Sequence, residues 1–170
     1  MNKKWFILGF VVLGLGFFIF TNKKEEKKVE KEESYFFEAK DFFLPDFSGN
    51  FVSLKDSKGK VVLLTFWMSW CPYCVREIPI LKEIYNSYPE EKVKIISVVI
   101  GEDKEPVEKI KNKLEIPYTI LFDEEREVAQ LYKIIGVPTD IIIDQKGKIR
   151  YYNFSWPKNL KKIIEDLLRE

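Results

Sequence analysis

The chain of 170 residues contains no histidine. Serine–histidine triads, cysteine–histidine nucleophiles and histidine-ligated metals are therefore out of its reach. It has two cysteines, Cys71 and Cys74, so neither a four-cysteine zinc site within one chain nor a framework of several disulfides can be built. An excess of either charge is also lacking: 28 basic and 27 acidic groups leave a formal net charge of +1. Without a broad basic field, nucleic acid is not expected as a partner. Glutamine occurs only at 130 and 145, while lysine and glutamate abound, a balance that leans toward a hot environment. No internal repeat is visible.

What is present begins with an uncharged run, Trp5 to Phe20, behind Lys3 and Lys4. Its sixteen residues span about 24 Å as a helix, against a hydrocarbon core of about 30 Å. Thr21 and Asn22 extend it, and Lys3, Lys4, Lys23 and Lys24 can snorkel to the interfaces. Residues 1–22 are read as a retained signal-anchor that meets the lipid bilayer through 5–20. The rival is a cleaved signal peptide, but Phe18-Ile19-Phe20-Thr21-Asn22-Lys23 offers no small-x-small site. Residues 23–34 follow as a charged linker with one large apolar side chain, Val29, and so no face to bury. A plain lysine count keeps the C-terminal side in the cytoplasm. Thiol chemistry on a tether makes most sense where disulfides form, so the reading adopted is a single pass through the cytoplasmic membrane with an extracytoplasmic domain.

That domain, 35–170, is long enough for a core of its own. Short strands are predicted at 42–44 and 51–54. The run 61–67, VVLLTFW, is apolar on both faces, as a central strand under two helix layers should be. The pattern then predicts a helix over 72–87 with Pro79 inside it, a strand over 93–100 and a helix over 104–114. A strand over 118–122, a helix over 124–132, a strand over 139–143 and a hairpin strand over 148–152 follow. Ser155 is placed as the cap of a last helix, with Pro157 in its first turn and Leu160, Ile163, Ile164, Leu167 and Leu168 facing inward. This order predicts an α/β fold with a central mixed sheet and flanking helices. Right-handed crossovers put the end of strand 61–67 at the carboxyl edge, where such folds meet ligands.

The chemistry sits there, in Trp70-Cys71-Pro72-Tyr73-Cys74. A lone Cys-x-x-Cys that follows a buried strand and opens a helix puts Cys71 against unsatisfied backbone N–H groups, which favour a thiolate. Cys74 lies one turn in, within reach of a small disulfide. The arrangement asks for a nucleophile and a resolver: Cys71 attacks a partner disulfide, then Cys74 attacks Cys71 and frees the reduced partner. The bland alternatives are an inert structural disulfide and a metal shared between two chains. Pro72 suits the first helical turn and, with Tyr73, shapes the inter-cysteine dipeptide. Trp70 either shields the thiol and offers a flat surface to a partner or simply packs in the core. Glu77, three residues after Cys74, is either a proton acceptor for it or a solvated helix residue.

The stretch Phe66 to Pro79, FWMSWCPYCVREIP, resembles the thioredoxin superfamily, most closely its membrane-anchored TlpA/ResA-like branch. Leu131 to Ile149 resembles that family's run through its cis-proline, and 104–122 its central helix–strand insertion. The resemblance implies a thioredoxin-like fold with that insertion, preceded by one transmembrane helix. It implies Cys71 as attacking cysteine, Cys74 as resolving cysteine, Glu77 as the acid near the site, and Pro138 as the cis-proline facing the disulfide. Val137 would then turn its backbone polar groups toward a bound peptide. It also implies a protein disulfide substrate, such as apocytochrome c, and electrons from a membrane thiol donor of the DsbD/CcdA-like kind. Neither cofactor nor metal is called for. Two departures stand out. Thr65 occupies the position, six before the first cysteine, where many thioredoxins carry a buried aspartate, and Pro72-Tyr73 is the dipeptide of glutaredoxins. The rivals to a reductant are a disulfide-donating oxidase, a peroxidase and a Cu(I)-carrying module held by the two thiolates.

Overall fold

The computed structural model describes residues 37–170. The anchor read at 1–22, the linker at 23–34 and the first two residues of the 35–170 domain lie outside the described residues. Among the described residues no helix is long and apolar enough to cross a membrane.

Five strands form a mixed sheet. β3 (Val61–Trp67) is its centre, parallel to β4 (Val93–Ile100) on one side and antiparallel to β6 (Thr139–Ile143) on the other. β5 (Thr119–Asp123) extends the sheet beyond β4, and β7 (Ile149–Asn153) extends it beyond β6. β1 (Phe43–Pro45) and β2 (Phe51–Ser53) make a separate small hairpin. Every residue of β3 is buried, because helices cover one face and the helix Glu127–Leu131 (α3) with the hairpin side covers the other.

Alternation along the strands sorts the core in two. Val61, Leu63 and Trp67 of β3 and Ile142 of β6 meet α1 (Pro72–Ser87) and α4 (Leu160–Leu168) through Ile78, Leu81, Ile84, Ile164 and Leu167. Val107 of α2 (Lys104–Leu114) joins the same cluster. On the other face Val62, Leu64 and Phe66 meet Phe42, Leu44, Leu54 and the buried side of α3 (Glu127–Leu131). Strand β3, helix α1, strand β4, helix α2 and strand β6 have the bounds their hydrophobic pattern predicts. β5 and β7 each begin one residue later than predicted.

Two helices differ from the sequence-based prediction. Instead of 124–132, α3 covers only Glu127–Leu131. The carboxylate of Asp123, at the end of β5, accepts from Val128 N at 3.2 Å and Ala129 N at 2.7 Å, and Arg126 turns into the left-handed region at φ 60°. That cap starts the helix three residues late. At the other end, α4 starts at Leu160, with Asn159 rather than Ser155 before it. Pro157 lies in the preceding turn, its carbonyl accepting from Leu160 N at 3.0 Å. The reason is Trp156, which is buried and directs its backbone N–H at Glu77 on α1; a chain tied there is not free to wind into a helix.

Candidate active site

The end of β3 delivers residues 68–71 to the carboxyl edge of the sheet. Glu102, just past β4, holds this loop: Ser69 N donates to Oε2 at 2.6 Å and Ser69 Oγ to Oε1 at 2.8 Å. Cys71 N donates to the Met68 carbonyl at 3.1 Å, closing the turn. Bonds to a charged acceptor contribute more than neutral ones. Glu102→Ala is therefore expected to lower the unfolding free energy by about 1.5–3 kcal/mol, read as the change in urea midpoint at constant slope.

Cys71 is the N-cap of α1, with Pro72 in the first turn, and its Sγ accepts from Cys74 N at 3.3 Å. The helix start thus places a backbone donor on the sulfur that would carry thiolate charge. Cys71 and Cys74 are joined in a disulfide with 5.3 Å between their Cα atoms. Both cysteines are buried, whereas Trp70 and Tyr73 beside them are 69% and 67% exposed. The Arg76 guanidinium lies 4.3 Å from the centre of the Tyr73 ring. Trp70 is therefore not core packing; it stands out beside the disulfide.

The loop before β6 faces the sulfurs. The Val137–Pro138 peptide is cis, and the Val137 carbonyl oxygen lies 3.8 Å from Cys71 Sγ. Pro138 is buried, and Thr139 Oγ1 donates to the Gly136 carbonyl at 2.7 Å, bracing the turn. Ile135 is 87% exposed, and Phe154, half-exposed, flanks Gly136. Ile135 and Phe154 were not singled out by sequence reasoning. Ile135 was legible only as an apolar residue in a loop without a face to bury.

Beneath the disulfide the sheet carries a polar row. Ser97, Thr65, Asp140 and Asn153 are register partners across β4, β3, β6 and β7. Thr65 is in phase with Leu63 and Trp67, and Asp140 with Ile142, so both belong to the face covered by α1. Thr65 Oγ1 donates to Asp140 Oδ1 at 2.6 Å. Glu77, half-buried on α1, accepts from Trp156 N at 3.4 Å through Oε1. Glu77 Oε2 and Asp140 Oδ2 are buried without a further partner, and the two carboxyls are close enough to share a proton. Burial raises the Glu77 carboxyl, and hydrogen bonds from Asp140 and from the Trp156 N–H offset part of that. Burial and then the Glu77 charge raise Asp140 far out of the carboxylate range, against the opposing pull of the Thr65 hydroxyl. Asp140 is the functional candidate the sequence reading missed. Its one local signal was an ionisable residue inside the buried strand TDIII.

A vicinal pair of sulfurs that opens and recloses across one helical turn needs nothing else to trade a disulfide with another chain. That chemistry, on this sheet and with a cis-proline loop over the sulfurs, defines a thioredoxin-like thiol–disulfide oxidoreductase. The chain belongs to the AhpC/TSA family, whose profile matches residues 37–152. It is 35% identical over 144 residues to the thiol-disulfide oxidoreductase ResA of Geobacillus kaustophilus, covering 85% of this chain and 81% of the relative. Among solved structures it is similar to StoA from Bacillus subtilis, with a TM-score of 0.63 and 27% identity over 77% of this chain and 97% of the other. It is also similar to the thioredoxin domain of a thiol-disulfide oxidoreductase from Bacteroides vulgatus. There the TM-score is 0.70 and the identity 28%, over 77% of this chain and 96% of the other. The enzyme class is therefore that of the thiol-disulfide oxidoreductases.

Proposed function

We propose that the chain is a membrane-tethered reductant of protein disulfides on the extracytoplasmic face, with Cys71 attacking and Cys74 resolving. Trp70, Tyr73 and the Val137–Pro138 edge receive the partner, and Pro72 sets the turn between the sulfurs. Apocytochrome c is the substrate proposed, and a DsbD/CcdA-like membrane thiol donor the source of electrons. The apolar run at 5–20 supports the tether.

The observation that carries the direction is the charge around the sulfurs. A strong oxidant keeps its reduced form stable by favouring the thiolate, with cationic neighbours among the usual means. Here the chain has no histidine, the residue between Pro72 and Cys74 is a tyrosine, and one turn beyond Cys74 stands the carboxyl pair of Glu77 and Asp140. Negative charge there disfavours a Cys74 thiolate and so disfavours the open dithiol. That makes the dithiol the better electron donor.

The test is the equilibrium reduction potential of the Cys71–Cys74 couple against a thiol buffer. A value near that of thioredoxin, about −270 mV, is expected. A value near about −120 mV would instead make the chain a disulfide donor for oxidative folding.

A further inference from the structure

Asp140 has entered so far only as one half of the carboxyl pair near the sulfurs, yet it is a fully buried carboxyl in a strand otherwise without charge. An unpaired carboxylate in such a place carries the desolvation penalty of any buried ion. The neighbouring donors decide where charge and proton go. Thr65 Oγ1 occupies Asp140 Oδ1, while Asp140 Oδ2 and Glu77 Oε2 are both buried with no other donor, and each carboxyl shifts the titration of the other. On the other carboxyl, the Trp156 N–H supports negative charge at Glu77 Oε1. Two anions cannot both persist in this space, so the pair holds one proton, and the donors favour it on Asp140 with the charge on Glu77. Besides the two cysteines, the phenols of Tyr118, ahead of β5, and Tyr151 on β7 feel the charge of the pair, and both are shifted upward and neutral at pH 7.

We propose that Asp140 is a positioning residue for the resolving step: its carboxylic acid donates to Glu77 and holds that side chain as the anionic proton acceptor for Cys74. The proposal rests on the attack-and-resolve reading of the two cysteines. In the mixed disulfide, the Cys74 S–H gives its proton to Glu77 as the Cys74 sulfur bonds to Cys71 Sγ. The bond between Cys71 and the partner breaks with its electron pair on the partner sulfur. The partner leaves as a thiolate and takes a proton back from Glu77 through solvent. The two chain sulfurs are oxidised, the partner's disulfide is reduced, and Asp140 keeps its proton throughout. A neutral acid serving as a fixed donor to a neighbouring charge is a known use of a buried carboxyl.

The test uses the full chain, reduced and held in detergent micelles, mixed with a nitrobenzoate disulfide. The first release of nitrothiolate reports attack by Cys71 and the second reports resolution by Cys74. Because the probe is synthetic, the result is independent of the physiological partner and of the direction of electron flow. Without a donor at position 140, Glu77 protonates at higher pH. Asp140→Leu should therefore move the acid limb of the second phase up by about one pH unit, cutting the ratio of second- to first-phase rates about tenfold below that limb. Asp140→Asn, which keeps a donor, should restore the ratio to within about threefold of the unsubstituted chain. In a Glu77→Gln background Asp140→Leu should add nothing, since its effect passes through Glu77. A second phase whose pH profile is unmoved by Asp140→Leu overturns the proposal. So does an Asn variant as slow as the Leu variant, or a loss from Asp140→Leu that persists in the Glu77→Gln background.

Discussion

Cys71→Ser is expected to abolish disulfide exchange, and Cys74→Ser to leave the chain covalently joined to its partner. The two sulfurs are not equivalent in this structure. Cys71 caps α1, accepts the Cys74 backbone N–H at 3.3 Å and touches the Val137 carbonyl at 3.8 Å, so it lies where an extended partner could pair with the cis-proline loop. Cys74 sits one turn deeper, 4% exposed, among Trp67, Ile78 and Leu81. The two cysteines are almost equally buried, 5% and 4% exposed, so what marks Cys71 as the attacking sulfur is its place at the helix cap beside the Val137 carbonyl. Removing Cys71 leaves only the buried Cys74 thiol, and turnover of a protein disulfide such as insulin should fall by at least about a thousandfold, the loss expected when a nucleophile is deleted. Removing Cys74 leaves attack intact but blocks release, so a non-reducing gel should show a reductant-sensitive adduct accumulating. Residual turnover by Cys71→Ser, or an adduct formed by it instead, would reverse the assignment of the two cysteines.

How far the molecule was legible in its sequence follows from the range of the interactions that shape each part. β3, β4 and β6 are each dominated by a run of apolar residues, and the bounds of α1 follow from Pro72 and the apolar spacing of Ile78, Leu81 and Ile84. Such elements depend on neighbours in sequence. α4 does not: its start was misplaced because Trp156 is anchored to Glu77, 79 residues earlier. The short α3 is the subtler case, since Asp123 caps it locally, but a carboxylate at a strand end reads equally well as a turn residue. The site divides the same way. Cys71, Cys74 and Pro138 belong to compact motifs that can be recognised from adjacent residues. Asp140 acquires its meaning from Thr65, 75 residues away on the neighbouring strand. The threonine at 65 looked like the loss of a buried acid from β3. In the sheet, the acid is there after all, one strand over and in register with that threonine.

That relocation has a stability signature with a definite sign. Asp140 titrates higher in the fold than in the unfolded chain, chiefly because of burial and then the Glu77 charge. Glu77 is shifted the same way by burial. A carboxyl so raised makes the native state hold a proton that the unfolded chain has released. Across the interval from the ordinary carboxylate range up to the raised value, stability therefore falls as pH rises, by at most about 1.4 kcal/mol per pH unit for one proton. The depressed carboxylates, Asp41, Asp46, Glu90, Glu105, Asp144, Asp166 and Glu170, act in the opposite sense but finish titrating below that interval. The raised phenols of Tyr118 and Tyr151, which face the pair, begin to matter only above it. The oxidised chain should accordingly lose stability between pH 5 and pH 8, by about 2–4 kcal/mol if the pair holds its extra proton over that span. Asp140→Asn keeps the shape and the Thr65 contact but has no proton to lose. It should nearly match the unsubstituted chain at pH 5, exceed it at pH 8, and show a much flatter dependence between the two, all read from guanidinium midpoints. Parallel pH dependences for the two chains would mean that Asp140 is ionised in the fold, and a protonated acid beside Glu77 would have to be abandoned. A flat profile for Asp140→Asn alone would show that this chain gives up stability at neutral pH to keep a carboxyl under its disulfide, where an asparagine would fit as well.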